Sequence, residues 1–339
     1  MVHWLDQFLI TEIQPFLTRL LSLGGASGRV VVFGFLTLLT LAGAFVAESF
    51  IRERLFGRRG KGLKHAAADM VKLLMQGQSV PAKAEKGLFF WTPVCAFVLG
   101  LFFFLVQPML PEKATPRLNA GLLYLVFIAG LSGYTFFLGG LAGGSRFAFL
   151  GALRNLAQTL SCQLVMMLTA AVVLMTAGSA NLTDVVAAQK GVWYVFPHFP
   201  MFVLFLLSCS VMSASAPFGA SKDGRLLAGG VYAEYSGGAY LFFMCADRIL
   251  LLFSALMSAL MFFGGWNPLP FFPETPSFWY LFAKTAFLFC LLVLIRSALP
   301  VFKTRDTVEM FYKLFLPFSF IWSVLTAVAV SAFQKGGMP

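Results

Sequence analysis

Asp247 and Arg248 stand side by side inside the apolar run Ala239 to Phe263, and Lys284 stands inside the apolar run Phe278 to Leu299. An unpaired charge in such a run is costly, so each must pair, reach an interface or exchange a proton. On a helix Asp247 and Arg248 point about 100° apart and so face different neighbours. Gln163 sits in a third apolar run; its amide hydrogen-bonds but does not change charge near neutrality. Glu48 closes an apolar run ahead of Arg52, and Glu234 precedes the run that carries Asp247, where a helix macrodipole favours a carboxylate. Asp69 and Lys72 are three apart, the spacing of an ion pair on one helical face, which contributes little where solvated. The chemistry within reach of these groups is protonic. Electron chemistry is not: Cys95, Cys162, Cys209, Cys245 and Cys290 are scattered singly, without C-x-x-C spacing, and His3, His65 and His198 are isolated. No P-loop, dinucleotide fingerprint or nucleophile elbow is present, so no metal, catalytic residue or bound cofactor is expected in this chain.

The elements that must hold these groups are membrane helices. A chain of 339 residues that is 59% hydrophobic and 12% charged, with a mean hydropathy of +0.83, has too few polar side chains to cover a soluble surface. In hydrocarbon the backbone must satisfy itself, and without period-2 alternation that means helices rather than a barrel. Eight spans of roughly 20 residues are expected: Val30 to Ala47, Leu88 to Val106, Ala120 to Leu141, Leu156 to Ala177, Met201 to Ala216, Ala239 to Phe263, Phe278 to Leu299 and Leu314 to Phe333. Together residues 30–333 form one transmembrane domain of an all-α membrane protein, with a short tail at 334–339. Residues 1–29 read as an interfacial segment, because Asp6, Glu12, Gln14, Pro15 and Arg19 interrupt the apolar stretch Trp4 to Leu23. Between Leu63 and Gln76 the apolar positions Leu63, Ala66, Ala67, Met70, Leu73 and Leu74 recur at helical spacing, which predicts an amphipathic helix at the membrane surface.

Lysines and arginines set the orientation. The loop after the first span carries nine of them between Arg52 and Lys86, and Arg146, Arg154, Lys222, Arg225, Arg296, Lys303, Arg305 and Lys313 fall on the same side. That side is expected to be cytoplasmic, in a bacterial plasma membrane or an organellar inner membrane, with both termini on the opposite, periplasmic side. The net charge of +11 thus lies mostly on one face, suited to anionic lipid headgroups rather than to nucleic acid. The polar, glycine-rich insert SASAPFGASKDGRLLAGGVYAEYS, Ser213 to Ser236, opens on that face.

Five fragments in order carry a resemblance: LKHAAADMVKLLMQGQSVP (Leu63 to Pro81), GSRFAFLGALRNLAQTLS (Gly144 to Ser161), PFGASKDGRLLAGGVYAEYSG (Pro217 to Gly237), FFGGW (Phe262 to Trp266) and KTAFLFCLLVLIRSALP (Lys284 to Pro300). Their order and spacing resemble the H subunit of respiratory complex I, called subunit 1 in mitochondria. The likeness runs from about Ala47 to near the C-terminus. It implies a membrane junction subunit of an NADH:quinone oxidoreductase, with partners that are peripheral-arm subunits carrying iron-sulfur clusters and antiporter-like membrane subunits. The quinone, ubiquinone or menaquinone, would be a substrate, and lipids would surround the chain. By the same resemblance Glu48, Arg52, Asp69, Lys72, Phe218 and Glu234 frame the quinone entrance. Gln163, Asp247 and Lys284 belong to a proton path or charge network, and Arg154, Lys222, Arg225 and Arg296 dock a partner. For Arg154 and Arg296 the cytoplasmic excess of basic residues is explanation enough by itself.

Two departures from the family pattern stand out. The acidic cluster expected after Pro217 and Phe218 is replaced by the run Gly219 to Leu226, whose charges are Lys222, Asp223 and Arg225. The family's buried glutamate in the fourth span is Gln163 here, after Ser161 and Cys162. Both shift the local field away from negative and predict altered proton coupling. Two other readings compete: the equivalent subunit of a membrane-bound hydrogenase or formate hydrogenlyase, and a stand-alone transporter. FFGGW and the run from Arg296 to Pro300 favour the quinone enzyme, and a transporter would predict an internal repeat, of which the sequence shows none.

Overall fold

In the computed structural model the described residues are 68, 71–106, 119–213, 230–268, 278–298 and 302–335, and among them all regular structure is helical. The helices are α1 (Lys86–Val106), α2 (Gly121–Ala142), α3 (Arg146–Ala177), the short α4 (Leu182–Ala188), α5 (Phe199–Met212), α6 (Gly237–Phe262), α7 (Phe278–Ala298), α8 (Thr304–Met310) and α9 (Leu316–Lys335). A 3₁₀ turn, Gly230–Tyr232, precedes α6, and a π-helical turn, Phe311–Phe315, joins α8 to α9. That turn stands just before Pro317, whose ring has no N–H for the carbonyl four residues back.

Among the described residues six helical units are long and apolar enough to cross a membrane: α1, α2, α3, α6, α7 and the continuous run of α8 and α9. The expected membrane fold is therefore borne out. The first expected span, Val30 to Ala47, lies outside the described residues, as do the interfacial segment 1–29, Glu48, Arg52, Asp69, Phe218, Lys222 and Arg225. The fifth expected span is α5, only 14 residues, about 21 Å at the helical rise and shorter than a hydrocarbon core of roughly 30 Å.

The fourth expected span begins earlier than the hydropathy suggests. Instead of starting at Leu156, α3 runs 32 residues from Arg146. Gly144, at φ 67°, turns the chain, and Ser145 caps the new helix by accepting from the Ala148 N–H at 3.2 Å. Arg154, placed by the sequence at the end of a loop, is an exposed helical residue. Hydropathy misses these turns because Arg146 and Arg154 dilute an otherwise strong helical run.

The helices pack closely where side chains vanish. A Cβ on Gly133 of α2 would stand 2.2 Å from Thr159 Cγ2 of α3, and one on Gly140 would stand 2.4 Å from Ala152 Cβ. Such approaches replace the hydrophobic drive that lipid cannot supply. The centre is filled by Phe103, Phe136, Phe205, Phe243 and Phe262, all fully buried. Buried hydroxyls hide by bonding to their own helix: Thr169 donates to Met166 O at 2.8 Å, Ser208 to Leu204 O at 2.8 Å and Ser258 to Ser254 O at 2.6 Å.

Candidate functional site

One end of the bundle gathers residues 76–85, the start of α3 and the turn before α6. There the Tyr232 hydroxyl donates to Asp247 Oδ2. The turn that holds Tyr232 folds back on α6 because Gly230 and Gly237, at φ 56° and 60°, bracket it with left-handed backbone. Tyr232 is further fixed by edge-on contacts with Tyr240, 5.6 Å between centroids, and Phe136, 6.3 Å. Burial first, and then the Asp247 carboxylate, push its phenol well above the usual tyrosine range. Arg296 at the end of α7 lies within electrostatic reach of Tyr232 and of Arg248. The structure thus brings Asp247, Arg248 and Arg296 together and adds Tyr232, which nothing in the sequence pattern singles out.

Glu234 is half-buried two residues beyond Tyr232 and rests on the α2–α3 corner, where a Cβ on Gly143 would stand 3.1 Å from its Cγ. Tyr235 plugs the same corner. Its hydroxyl donates to Gly139 O at 3.0 Å, Thr92 Oγ1 lies 3.2 Å away, and its ring stacks on Phe89 at 4.3 Å. Burial raises its phenol to about 12.

Lys72 is an exposed member of the helical stretch 71–75, along which Ala68, Val71, Lys72, Met75 and Gln76 line an open groove. Val71, Leu74 and Met75 are all exposed rather than turned into the chain. A surface helix of this kind presents its apolar side to lipid or to a neighbour.

Gln163 lies deeper, between α3 and α2. Its Nε2 donates to Val126 O at 2.7 Å, and its buried Oε1 has no partner. The amide fits because Gly130, beside it on α2, has no side chain: a Cβ there would be 3.0 Å from Gln163 Cδ.

Lys284 belongs to the other end. Its Nζ donates to the carbonyls of Phe263, Gly265 and Asn267 at 2.8, 3.0 and 2.6 Å and lies 4.4 Å from the Trp193 ring centroid. The ammonium therefore caps the C-terminal end of α6, where the backbone dipole is negative. Gln189 completes the knot, accepting from Gly264 N at 3.0 Å and donating to Leu260 O at 3.0 Å, while Asn267 Nδ2 donates to Val186 O at 2.7 Å. Phe262 to Trp266 can turn so tightly because Gly264 and Gly265 take φ values of 67° and 50°. Asp247 lies 16 residues before Phe263 along α6, about 24 Å at the helical rise, so the structure does not bring Lys284 into the Asp247 cluster. Sequence reasoning does not find Gln189 or Asn267: Asn267 stands two residues past the glycine pair, but Gln189 lies 75 residues before Gly264.

Among the described residues no group of three His, Cys, Asp or Glu side chains is placed to hold a metal.

Residues 29–327 match the family described as NADH dehydrogenase. Similar curated proteins include three H subunits of NADH-quinone oxidoreductase. That of Ruegeria sp. is 34% identical over 274 residues, covering 79% of this chain and 79% of the relative. That of Parvibaculum lavamentivorans is 33% identical over 307 residues, covering 88% and 91%. That of Geobacillus kaustophilus is 32% identical over 323 residues, covering 91% and 97%.

Proposed function

The chain belongs to the NADH dehydrogenase family, among the H subunits of respiratory complex I, and from that premise we propose that it is the membrane junction of an NADH-quinone oxidoreductase. Electrons reach the quinone through iron-sulfur subunits of a peripheral arm; this chain provides the doorway, the floor on which that arm sits and the first step of proton coupling. Ubiquinone or menaquinone enters along the stretch that carries Lys72, under a rim completed by Glu48, Arg52, Asp69, Phe218 and Glu234. By the resemblance, Arg154, Lys222, Arg225 and Arg296 serve to dock the arm on the cytoplasmic side, and antiporter-like subunits extend the membrane part.

The observation that carries this reading is the Tyr232–Asp247 hydrogen bond at the mouth of α6. A carboxylate in an apolar helix that is held by a phenol is a group whose proton can move when a charged or reduced neighbour arrives. Gln163 takes no proton there, so on this reading the chain's coupling depends on Asp247 and the phenol that holds it.

Purification in mild detergent, with mass identification of the subunits that co-elute, tests the reading directly. Iron-sulfur arm subunits and antiporter-like subunits are the expected companions. A nickel-iron hydrogenase large subunit, or a chain that elutes alone, would overturn it.

A further inference from the structure

We propose that Ser236 and Gly237 are positioning residues for quinone entry, because they clasp the surface stretch 71–75 to the head of α6. This inference rests on the doorway reading above. Its physical basis is the fate of Ser236. Serine at a helix N-cap normally turns its hydroxyl onto the backbone of the first turn. Ser236 is the N-cap of α6 in extended backbone, yet it makes no capping bond. Its Oγ instead accepts from Ser79 N at 2.9 Å and lies 3.0 Å from Ser79 Oγ.

Gly237 closes the clasp from the other side. Its φ is 60°, and a Cβ there would stand 2.5 Å from Gln76 O, a backbone atom that cannot swing away. The Gln76 carbonyl belongs to the end of the helical stretch, whose last turn closes with Gln76 N donating to Lys72 O at 2.9 Å. Gly238 continues the contact, since a Cβ on it would meet Gln78 Nε2 at 3.2 Å. Beyond Ser79 the connector stays anchored: Glu85 N donates to Ala142 O at 3.2 Å, and a Cβ on Gly144 would stand 2.4 Å from Lys83 O. The connector from Gln76 to Glu85 is thus a strap across the ends of α2, α3 and α6. The clasp is its attachment nearest the stretch with Lys72. It is also the attachment next to Glu234, Tyr235 and the Tyr232–Asp247 pair, so one joint sets the spacing between doorway and proton group.

A loosened clasp lowers the fraction of molecules whose doorway is correctly placed, which weakens apparent binding without touching the reacting atoms. Because Ser236 does not cap α6, Ser236→Ala removes the clasp and leaves the helix start as it is. In the intact complex in its native membrane, Ser236→Ala is expected to raise KM for a long-tailed quinone about three- to tenfold, with kcat within about twofold, and Ser236→Thr to restore it. Gly237→Ala should raise KM at least as far. The pair Ser79→Cys with Ser236→Cys offers a reversible form of the test: reduced, it should show the raised KM, and oxidised across the joint, the wild-type value. Electron delivery to a soluble acceptor that draws on the peripheral arm should be equal in every variant. An unchanged KM in Ser236→Ala and in Gly237→Ala, in complexes that turn over quinone, would overturn the clasp and leave the doorway reading intact. A loss of assembled complex in both variants, with KM of the remaining complex at the wild-type value, would mark a merely structural joint and overturn it as well. A wild-type complex that reduces no quinone would instead sink the doorway reading itself.

Discussion

The knot around Lys284 and the Tyr232–Asp247 pair lie towards opposite ends of this bundle, and they differ in what their side chains bond to: main chain in the first, another side chain in the second. Lys284, Gln189 and Asn267 direct their hydrogen bonds at main-chain groups of the α6–α7 turn, of α4 and of the end of α6. Tyr232 and Asp247 bond to each other, each a titratable partner for the other. The contrast separates two uses of polarity in an apolar molecule. A side chain that satisfies carbonyls has a fixed task and must not change its charge. A phenol–carboxylate pair instead joins two ionisable side chains, whose hydrogen bond depends on the proton they hold. The family resemblance places Lys284 and Asp247 in one network; in the structure Lys284 holds the Phe263 carbonyl, about 24 Å along α6 from Asp247.

The sharpest way to break this comparison is Lys284→Met. Three carbonyls would lose their donor, at a cost of roughly 2–5 kcal/mol. The expected outcome is a strong drop in assembled complex and in its Tm, while the complexes that survive turn over at the normal rate per molecule. A stable Lys284→Met complex that has lost proton transfer would place Lys284 back in the path. The mirror image is Asp247→Asn, which should keep assembly and lose about tenfold or more of coupled quinone reduction, measured in sealed vesicles. Tyr232→Phe should fall in the same direction by less, because the carboxylate remains.

Gln163→Leu sharpens the comparison at intermediate depth. The amide carries no exchangeable charge, so coupled turnover should stay within about twofold, with a stability loss of about 1 kcal/mol from the bond to Val126 O. A collapse of proton pumping in this variant would show that a water held at Gln163 Oε1 does the work of the missing carboxylate.

The smallest expected effect is a pH response at the knot end. His198 is held at Nδ1 by the Trp322 indole, which only donates, at 3.3 Å, and at Nε2 by Thr176 Oγ1 at 3.1 Å, so the ring is the neutral Nε2–H tautomer. Burial holds its pKa below the usual histidine value. The unfolded chain therefore takes up a proton first as pH falls, and stability drops from about pH 6.5 downward. Tm of the solubilised complex should fall between about pH 7 and about pH 5, and less so in His198→Gln.

Much of the architecture was legible in the chain. Apolar length located the long helices to within a few residues, because hydrocarbon demands helices of one minimum length. It failed at α3 and α5. In α3 the extra turns carry arginines that hydropathy counts against a span, and in α5 the helix at Ser213 ends sooner than composition alone implies. Asp247 was legible as a costly charge, but Tyr232 was not, since a tyrosine in a glycine-rich turn has no periodicity to announce its partner. Gln189 and Asn267 escaped notice for a related reason: their bonds reach the backbone across separations of 75 and 81 residues.

By itself, then, the sequence determined the solvent of this protein, its helical class and the family it resembles. Those follow from composition and from local spacing, which act within a few turns of chain. Only the tertiary structure decided which buried polar group holds backbone and which holds a proton, and that Ser236 reaches back to Ser79 rather than capping its own helix. Partners in a hydrogen bond are selected by where elements meet, and in this chain the close approaches fall at glycines such as Gly133 and Gly140 between α2 and α3 and Gly237 against the Gln76 carbonyl.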